Sequence, residues 1–421
     1  MKPLHRFALI ILGLAALTTA LFWVGVRWEL EAPQREGPPA MVAEGAQQRL
    51  WVLVKRAEHR QVGGGRYNSS RWQTRYHFDL HMHDATTAER VSTKRLLTLT
   101  YKQAGYNARA RILGQDGKAV WIFLHDKPVA LSAADGTVLA GPPEIEQRNP
   151  ELRGVLPAQL GFYAFDRGLV VVSADARRFV LRGTDFAASA YLPVNDDHYS
   201  RIMFDATQWN GGWQNKDYVV YSAQLNGRWL GLYTPKEAAE ASEDGFGSNF
   251  ADSGRVVISG TMERRAFVSA RIGKTKEFSE GRHDRLFDVT RIADTPDFLQ
   301  AAFMIQQGTR TALALKDPDG LLVMHRTRAD APGRLAFTRV DAALKPVWRC
   351  VLPFAELQNR WQTEGHFLMR GSVEMPDGGN ERWHEYLVAM DLKTGQARGW
   401  NVTLERPEAP NAQGEWTALK Q

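Results

Sequence analysis

One cysteine, Cys350, stands alone among 421 residues. A single thiol excludes an internal disulfide, a zinc knuckle and a Cys-x-x-Cys redox pair. Stability must then come from burial and hydrogen-bonded sheet. The residue lies in Val347-Trp348-Arg349-Cys350-Val351-Leu352, a strand-like run in which a thiol is expected to be buried and inert. There is also no G-x-S-x-G elbow, no H-E-x-x-H and no P-loop. No catalytic residue is therefore assigned, and neither a cofactor nor a metal is expected. Charge of one sign is scarce as well. The net charge is +6, and three of the bases, Lys2, Arg6 and Arg27, precede Glu29, which leaves residues 29–421 close to balance. Without a concentrated Lys/Arg run, nucleic acid is not an expected partner. The pairs Arg177-Arg178 and Arg264-Arg265 read as solvated strand edges or turns.

The long apolar run is at the start. Residues 7–26, FALIILGLAALTTALFWVGV, carry no charge, and a helix of about 20 apolar residues spans a bilayer. Lys2 and Arg6 precede it, which predicts a single-pass inner-membrane anchor with N-in/C-out orientation. Phe22, Trp23 and Trp28 would sit at the far interface. A cleaved signal peptide is the alternative: Thr18-Thr19-Ala20 offers small residues, but Leu21-Phe22-Trp23-Val24 continues the greasy stretch. In both readings the bulk of the chain is exported to the periplasm.

Residues 1–28 are thus expected to be a cytoplasmic tip and anchor. Residues 29–48, polar with Pro38-Pro39, are expected to be a linker. A β-domain should fill 49–405, followed by a polar tail at 406–421. Residues 75–84 alternate, with Tyr76, Phe78, Leu80 and Met82 on one face and His77, Asp79, His81 and His83 on the other. Similar short runs follow at 50–54, 96–101, 108–113, 119–124, 129–132, 169–173, 179–181, 218–221, 229–233, 256–258, 266–272, 312–315, 321–325, 336–340 and 386–390. Asp116-Gly117, Asp135-Gly136, Asn226-Gly227, Asp319-Gly320 and Asp377-Gly378 supply the positive φ of tight hairpins. Helical signals are few: residues 235–242 open with Pro235, and 297–307 are a second candidate.

Many short strands joined by tight turns leave sandwich, barrel or propeller. Propeller blades repeat at roughly 40–50 residues, so this domain would hold about seven or eight. Weak repeats agree. Trp121 follows Asp116-Gly117; Trp348 follows Asp341; Asp84-Ala85-Thr86-Thr87 precedes another strand; and Ala389-Met390-Asp391-Leu392-Lys393-Thr394-Gly395 is followed by Trp400. Here the sequence resembles the quinoprotein-like propellers, whose blade motif runs Ala-x-Asp-x-x-Thr-Gly-x-x-x-Trp. Ala389, Asp391, Thr394 and Gly395 match its front half, and Trp400 falls one residue late. At Asp341 the Thr and Gly positions hold Leu344 and Lys345, and Trp348 comes one early. The resemblance implies that Asp and Thr tie each turn and that Trp packs between blades. The whole is also similar to uncharacterised proteobacterial envelope proteins with an anchor-plus-propeller layout. A quinone dehydrogenase of that family would carry adjacent cysteines and a calcium-ligand set; the first is absent and the second is not found.

Five segments could carry chemistry. His81 and His83 share a strand face with His77 and Asp79, a pattern that fits metal ligation, although the apolar opposite face already explains it as a solvated outer face. Trp209-Asn210-Gly211-Gly212-Trp213 could stack on sugar or on a partner, or could simply be blade packing. Asn195-Asp196-Asp197-His198, His283-Asp284 and Glu243-Asp244-Gly245 place acids and imidazoles in expected loops. The resulting expectation is an anchored binding or scaffold protein contacting other envelope proteins. The alternative is an envelope glycan-binding hydrolase or lyase with its site at a propeller mouth.

Overall fold

A computed structural model describes residues 29–31, 33–62, 71–105, 108–207, 218–243, 263–276, 282–309, 311–316, 319–330, 333–374, 383–411, 414 and 416. Strands take 56% and helices 10%, which makes the chain all-β. Among the described residues no helix is long and apolar enough to cross a membrane; residues 7–26 and the expected strand at 256–258 lie outside them. The chain divides into two compact units, Met1–His83 with Val91–Gly212, and Asp84–Arg90 with Trp213–Gln421.

The first unit holds three antiparallel sheets. In one, β1 (Glu29–Leu30), β2 (Gln34–Arg35) and β3 (Ala40–Glu44) pair in turn along β4 (Gln47–Val62), followed by β5 (Arg71–Asp84) and β6 (Arg90–Thr100). The second is a four-strand meander of β7 (Ala110–Asp116), β8 (Ala119–Leu124), β9 (Lys127–Ser132) and β10 (Val138–Ala140). The third repeats it with β11 (Tyr163–Phe165), β12 (Leu169–Val172), β13 (Arg178–Leu181) and β14 (Ala188–Ala190). β8 is apolar without alternation because both faces are buried. Val120, Ile122 and Leu124 pack with Trp51, Phe78 and Leu80 of the first sheet. Ala119, Trp121 and Phe123 pack with Tyr163, Leu169 and Phe179 of the third. A strand covered on both sides reads as a continuous apolar run.

The second unit contains a ten-stranded sheet of β15 (Val219–Val220), β16 (Ser222–Leu225), β17 (Arg228–Tyr233), β18 (Arg264–Lys276), β19 (Arg282–Arg291), β20 (Asp297–Met304), β21 (Ala314–Leu315), β22 (Gly320–Arg326), β23 (Leu335–Asp341) and β24 (Pro346–Val351). A five-stranded sheet follows: β25 (Asn359–Gln362), β26 (His366–Glu374), β27 (Trp383–Asp391), β28 (Ala397–Asn401) and β29 (Arg406–Glu408). β22 plays the part of β8. Leu322 packs with Phe354, Phe367 and Val388, while Leu321 and Val323 pack with Leu230, Phe267 and Phe303.

One six-residue loop recurs. In residues 84–89, 132–137, 182–187 and 391–396 the first N–H donates to the carbonyl of the sixth residue, and the fifth N–H donates back to the first carbonyl. The fifth residue has positive φ each time: Ala88, Gly136, Phe186 and Gly395. The Asp341 loop is one residue shorter, with Leu344 at positive φ. Asp84 and Asp391 each accept two backbone N–H bonds, from Thr86 and Thr87 and from Lys393 and Thr394. This is the tie expected of a turn aspartate. Tryptophan closes the pattern. The Trp348 indole donates to the Lys393 carbonyl at 3.0 Å and lies against Gly395, where a Cβ would sit 2.5 Å from the ring. In the same unit Arg90 lies 5.2 Å from the Trp400 ring and pairs with Glu405 at 2.6 Å.

Several expectations change. Residues 29–48, expected as linker, carry β1 to β3. Their partner β4 supplies the pairing that no periodicity announced. The expected polar tail is likewise tied in: β29 pairs with β28, and Trp416 is buried with its indole donating to the Val351 carbonyl at 2.8 Å. The helix expected at 297–307 is β20. Its Phe-Leu-Gln-Ala-Ala-Phe-Met run favours helix locally, but β18 and β22 claim its backbone and bury Phe298, Ala301, Ala302 and Phe303, an override of local preference by pairing. The helix expected at 235–242 is present as Pro235–Glu243. Thr234 caps it, accepting from the Glu237 N–H at 3.1 Å while the Glu237 carboxylate accepts from the Thr234 N–H at 2.8 Å, a reciprocal capping box. Arg265, expected in solvent, is mostly buried and grips Glu237 at 2.7 Å. Its neighbour Arg264 is exposed and pairs with Asp297.

Candidate functional site

Residues 195–198, expected as loop, begin the helix Asp196–Thr207. Asn195 caps it by accepting from the His198 N–H at 2.7 Å, and Asp196 and Asp197 sit in the first turn, where carboxylates complement the helix dipole. The helix is tied to the third sheet through Asp166. One carboxylate oxygen, Oδ2, accepts from the Tyr191 hydroxyl at 2.8 Å and from His198 Nε2 at 3.2 Å. Arg201 lies 3.3 Å from His198 Nδ1. A guanidinium only donates, so Nδ1 accepts and Nε2 carries the proton given to Asp166. The hydrogen bond from Tyr191, then that from His198, hold the Asp166 carboxyl below the usual carboxylate range. Burial and the Asp166 hydrogen bond push the Tyr191 phenol up to about 12.

This clamp fixes both ends of Leu192-Pro193-Val194. Tyr191 before it is buried and Asn195 after it is the cap. Leu192 is 86% and Val194 76% exposed, the highest values among the large apolar residues described. Pro193 restricts the tip further by fixing its own φ. The candidate site is an exposed apolar tip tied at both ends by these hydrogen bonds. Asp166 and His198 are within hydrogen-bond reach, but no nucleophile joins them among the described contacts. Sequence reasoning picked out Asn195 to His198 as chemistry and missed the tip. The available signal was an apolar Leu-Pro-Val flanked by a strand and a helix cap.

The His-rich face of β5 is not the solvated face it was expected to be. His77, Asp79, His81 and His83 are all buried. Arg95 binds Asp79 through Nε and Nη2, and its Nη1 lies 2.5 Å from His77 Nδ1. Thr98 shares that nitrogen at 3.0 Å, and Nε2 meets Glu58 at 3.0 Å. His77 is thus one link in a strip of polar contacts that joins Glu58, Thr98, Arg95 and Asp79. Among the described residues no three His, Cys, Asp or Glu side chains group so as to hold a metal ion.

The remaining candidates scatter. His283 and Asp284 lie on β19, opposite Thr275 and Lys274. Glu243 ends a helix, and Asp244 and Gly245 fall outside the described residues, as do Trp209 and Trp213. Cys350 is buried on β24, and burial pushes its thiol up to about 12. At neutral pH the folded chain should therefore resist maleimide while the urea-unfolded chain takes up one equivalent; rapid labelling of the folded chain by mass spectrometry would contradict this.

No family model matches the chain, and no curated protein does. Among solved structures, one described as "Crystal structure of the eukaryotic initiation factor" aligns over 86% of this chain and 86% of its own, at 8% identity and a TM-score of 0.17. A likeness that small bears on neither fold nor function.

Proposed function

We propose that this chain is a membrane-anchored binding or scaffold protein of the envelope, with a β-propeller held on the periplasmic side of the inner membrane by residues 7–26. The recurrent loop supports the propeller reading. It returns about every 50 residues, as blades do, and Trp348 seats on the following Asp-Thr-Gly loop in the way the quinoprotein-like motif implies. Blades here are the four-strand meanders.

The observation that carries the binding reading is the exposed tip, Leu192 and Val194, clamped by Asp166, Tyr191 and His198. Two apolar side chains left in water forgo about 2 kcal/mol each of burial energy. A rigid tip recovers that on contact without a large ordering cost. The occupant in this reading is another envelope protein.

A photo-crosslinking residue at position 192 of the full chain, in native membranes, should capture a second polypeptide. Leu192→Asp with Val194→Asp should leave folding within about 0.5 kcal/mol of the parent, as expected for exposed positions, and weaken co-purification at least about tenfold. Crosslinking that returns only monomer, with nothing co-purifying, removes this reading.

A further inference from the structure

The first sheet has two ends. At one, β5 turns into β6 through residues 84–89, where Asp84 N–H meets the Glu89 carbonyl at 2.9 Å. The antiparallel pairing runs from there through Asp79 with Arg95 and His77 with Thr98, so the start of β5, with Trp72, and the end of β6, which Tyr101 follows at the head of a short helix, lie toward the opposite end. β1 ends up there too: Leu30 pairs with Glu58, Glu29 with His59, and His59 Nδ1 reaches Thr74 at 3.0 Å. Leu30, Trp72 and Tyr101 are each more than half exposed. Two large aromatic side chains and a leucine are thus more than half exposed at one end of a sheet. Trp and Tyr are the residues that favour the bilayer headgroup region, with an apolar body and a polar tip. The occupant follows from the chain itself. Glu29 enters the sheet at this end, and the apolar run 7–26 stops three residues before it. At the maximum reach of an extended chain, about 3.5 Å per residue, those residues span roughly 10 Å.

We propose that this end of the first sheet, through Leu30, Trp72 and Tyr101, rests in the headgroup layer of the bilayer that residues 7–26 cross. The proposal rests on the anchor reading. It adds an orientation: the first sheet stands on the membrane with the Val91 end of β6 pointing away. β6 supplies a ruler. Val91, also more than half exposed, lies nine residues from Thr100, the last residue of the same strand, which Tyr101 follows, or about 30 Å at 3.4 Å per residue, which clears the headgroup layer.

The test uses the full chain in nanodiscs of phosphatidylcholine and phosphatidylglycerol, with single variants Trp72→Cys, Tyr101→Cys and Val91→Cys carrying an environment-sensitive fluorophore. Buried Cys350 stays unlabelled. All three positions are exposed, and melting curves confirm each fold. With headgroup-proximal nitroxide lipids, the labels at 72 and 101 should each lose roughly half of their emission, and the label at 91 almost none. Chain that co-purifies with nanodiscs yet shows equal quenching at all three positions overturns the orientation alone. Chain that does not co-purify with lipid overturns the anchor reading and this proposal with it.

Discussion

Raising the pH from 5 to 8 is expected to weaken the first unit by about 2.5 kcal/mol through Glu36, and Glu36→Gln to remove that loss. Glu36 follows β2 and is buried, with Oε1 3.9 Å from Lys55 Nζ. Burial pushes its carboxyl from an ordinary 4.5 up to about 7, against the opposing pull of Lys55, a backbone hydrogen bond with Ala110 and the charge of Arg109. A carboxyl raised in this way holds its proton more firmly folded than unfolded. Its contribution is complete below 4.5 and is lost as pH rises through about 7. Glutamine keeps an acceptor for Ala110 and cannot ionise. Lys55 keeps the Ala108 carbonyl at 3.3 Å and the Tyr76 ring at 4.9 Å, so the substitution does not strand a buried charge. Hydrogen exchange of β2, β4 and β7 amides in the full chain, read at several pH values, measures the effect. Parallel pH profiles for parent and Glu36→Gln would sink it.

Glu36 also shows where sequence reading stopped. It lies in a stretch that reads as linker because Gln34-Arg35-Glu36-Gly37-Pro38-Pro39 has no period. A two-residue strand such as β2 has too few side chains to show one, and its pairing is dictated by β4. Where a strand was long enough and apolar enough, its position was legible: β8, β22 and β27 fall where Val/Ile/Leu/Phe runs predicted them. The turn aspartates were legible for the same local reason, since Asp84 and Asp391 bind N–H groups two and three residues away. Burial on the second face was not. The alternation in residues 75–84 located β5 but assigned His77 to His83 to solvent, because period two separates two faces without saying what covers each. The site suffered likewise. Asn195 to His198 stood out by composition, whereas the Asp166 that gathers Tyr191 and His198 is distant in sequence and joins them only through the third sheet.

His325 should produce the opposite slope in the second unit. It is buried on β22, with Nδ1 donating to the Arg326 carbonyl at 3.1 Å and Nε2 accepting from the Thr338 hydroxyl at 2.9 Å. Its ring lies 4.8 Å from that of Phe298. Burial, aided by the charges of Arg349 and Arg264, pushes the imidazole from 6.5 down to about 4. A histidine depressed in this way stays neutral while the unfolded chain takes up a proton. Its contribution is complete above 6.5 and is lost, by up to about 3 kcal/mol, as pH falls to about 4. His325→Phe retains the ring contact and abolishes the slope, but strands the Thr338 hydroxyl at a cost of about 1–2 kcal/mol at every pH; adding Thr338→Val should recover most of that. Between pH 4.5 and 6.5 Glu36 and His325 therefore act in opposite directions, one in each unit, and a whole-chain melting curve would conceal both. Glu36→Gln should leave a chain that weakens towards acid, and His325→Phe with Thr338→Val one that weakens towards neutrality. If exchange of β22 and β23 amides keeps the parent's acid sensitivity in the double variant, the slope belongs to another group and His325 is only a packed ring.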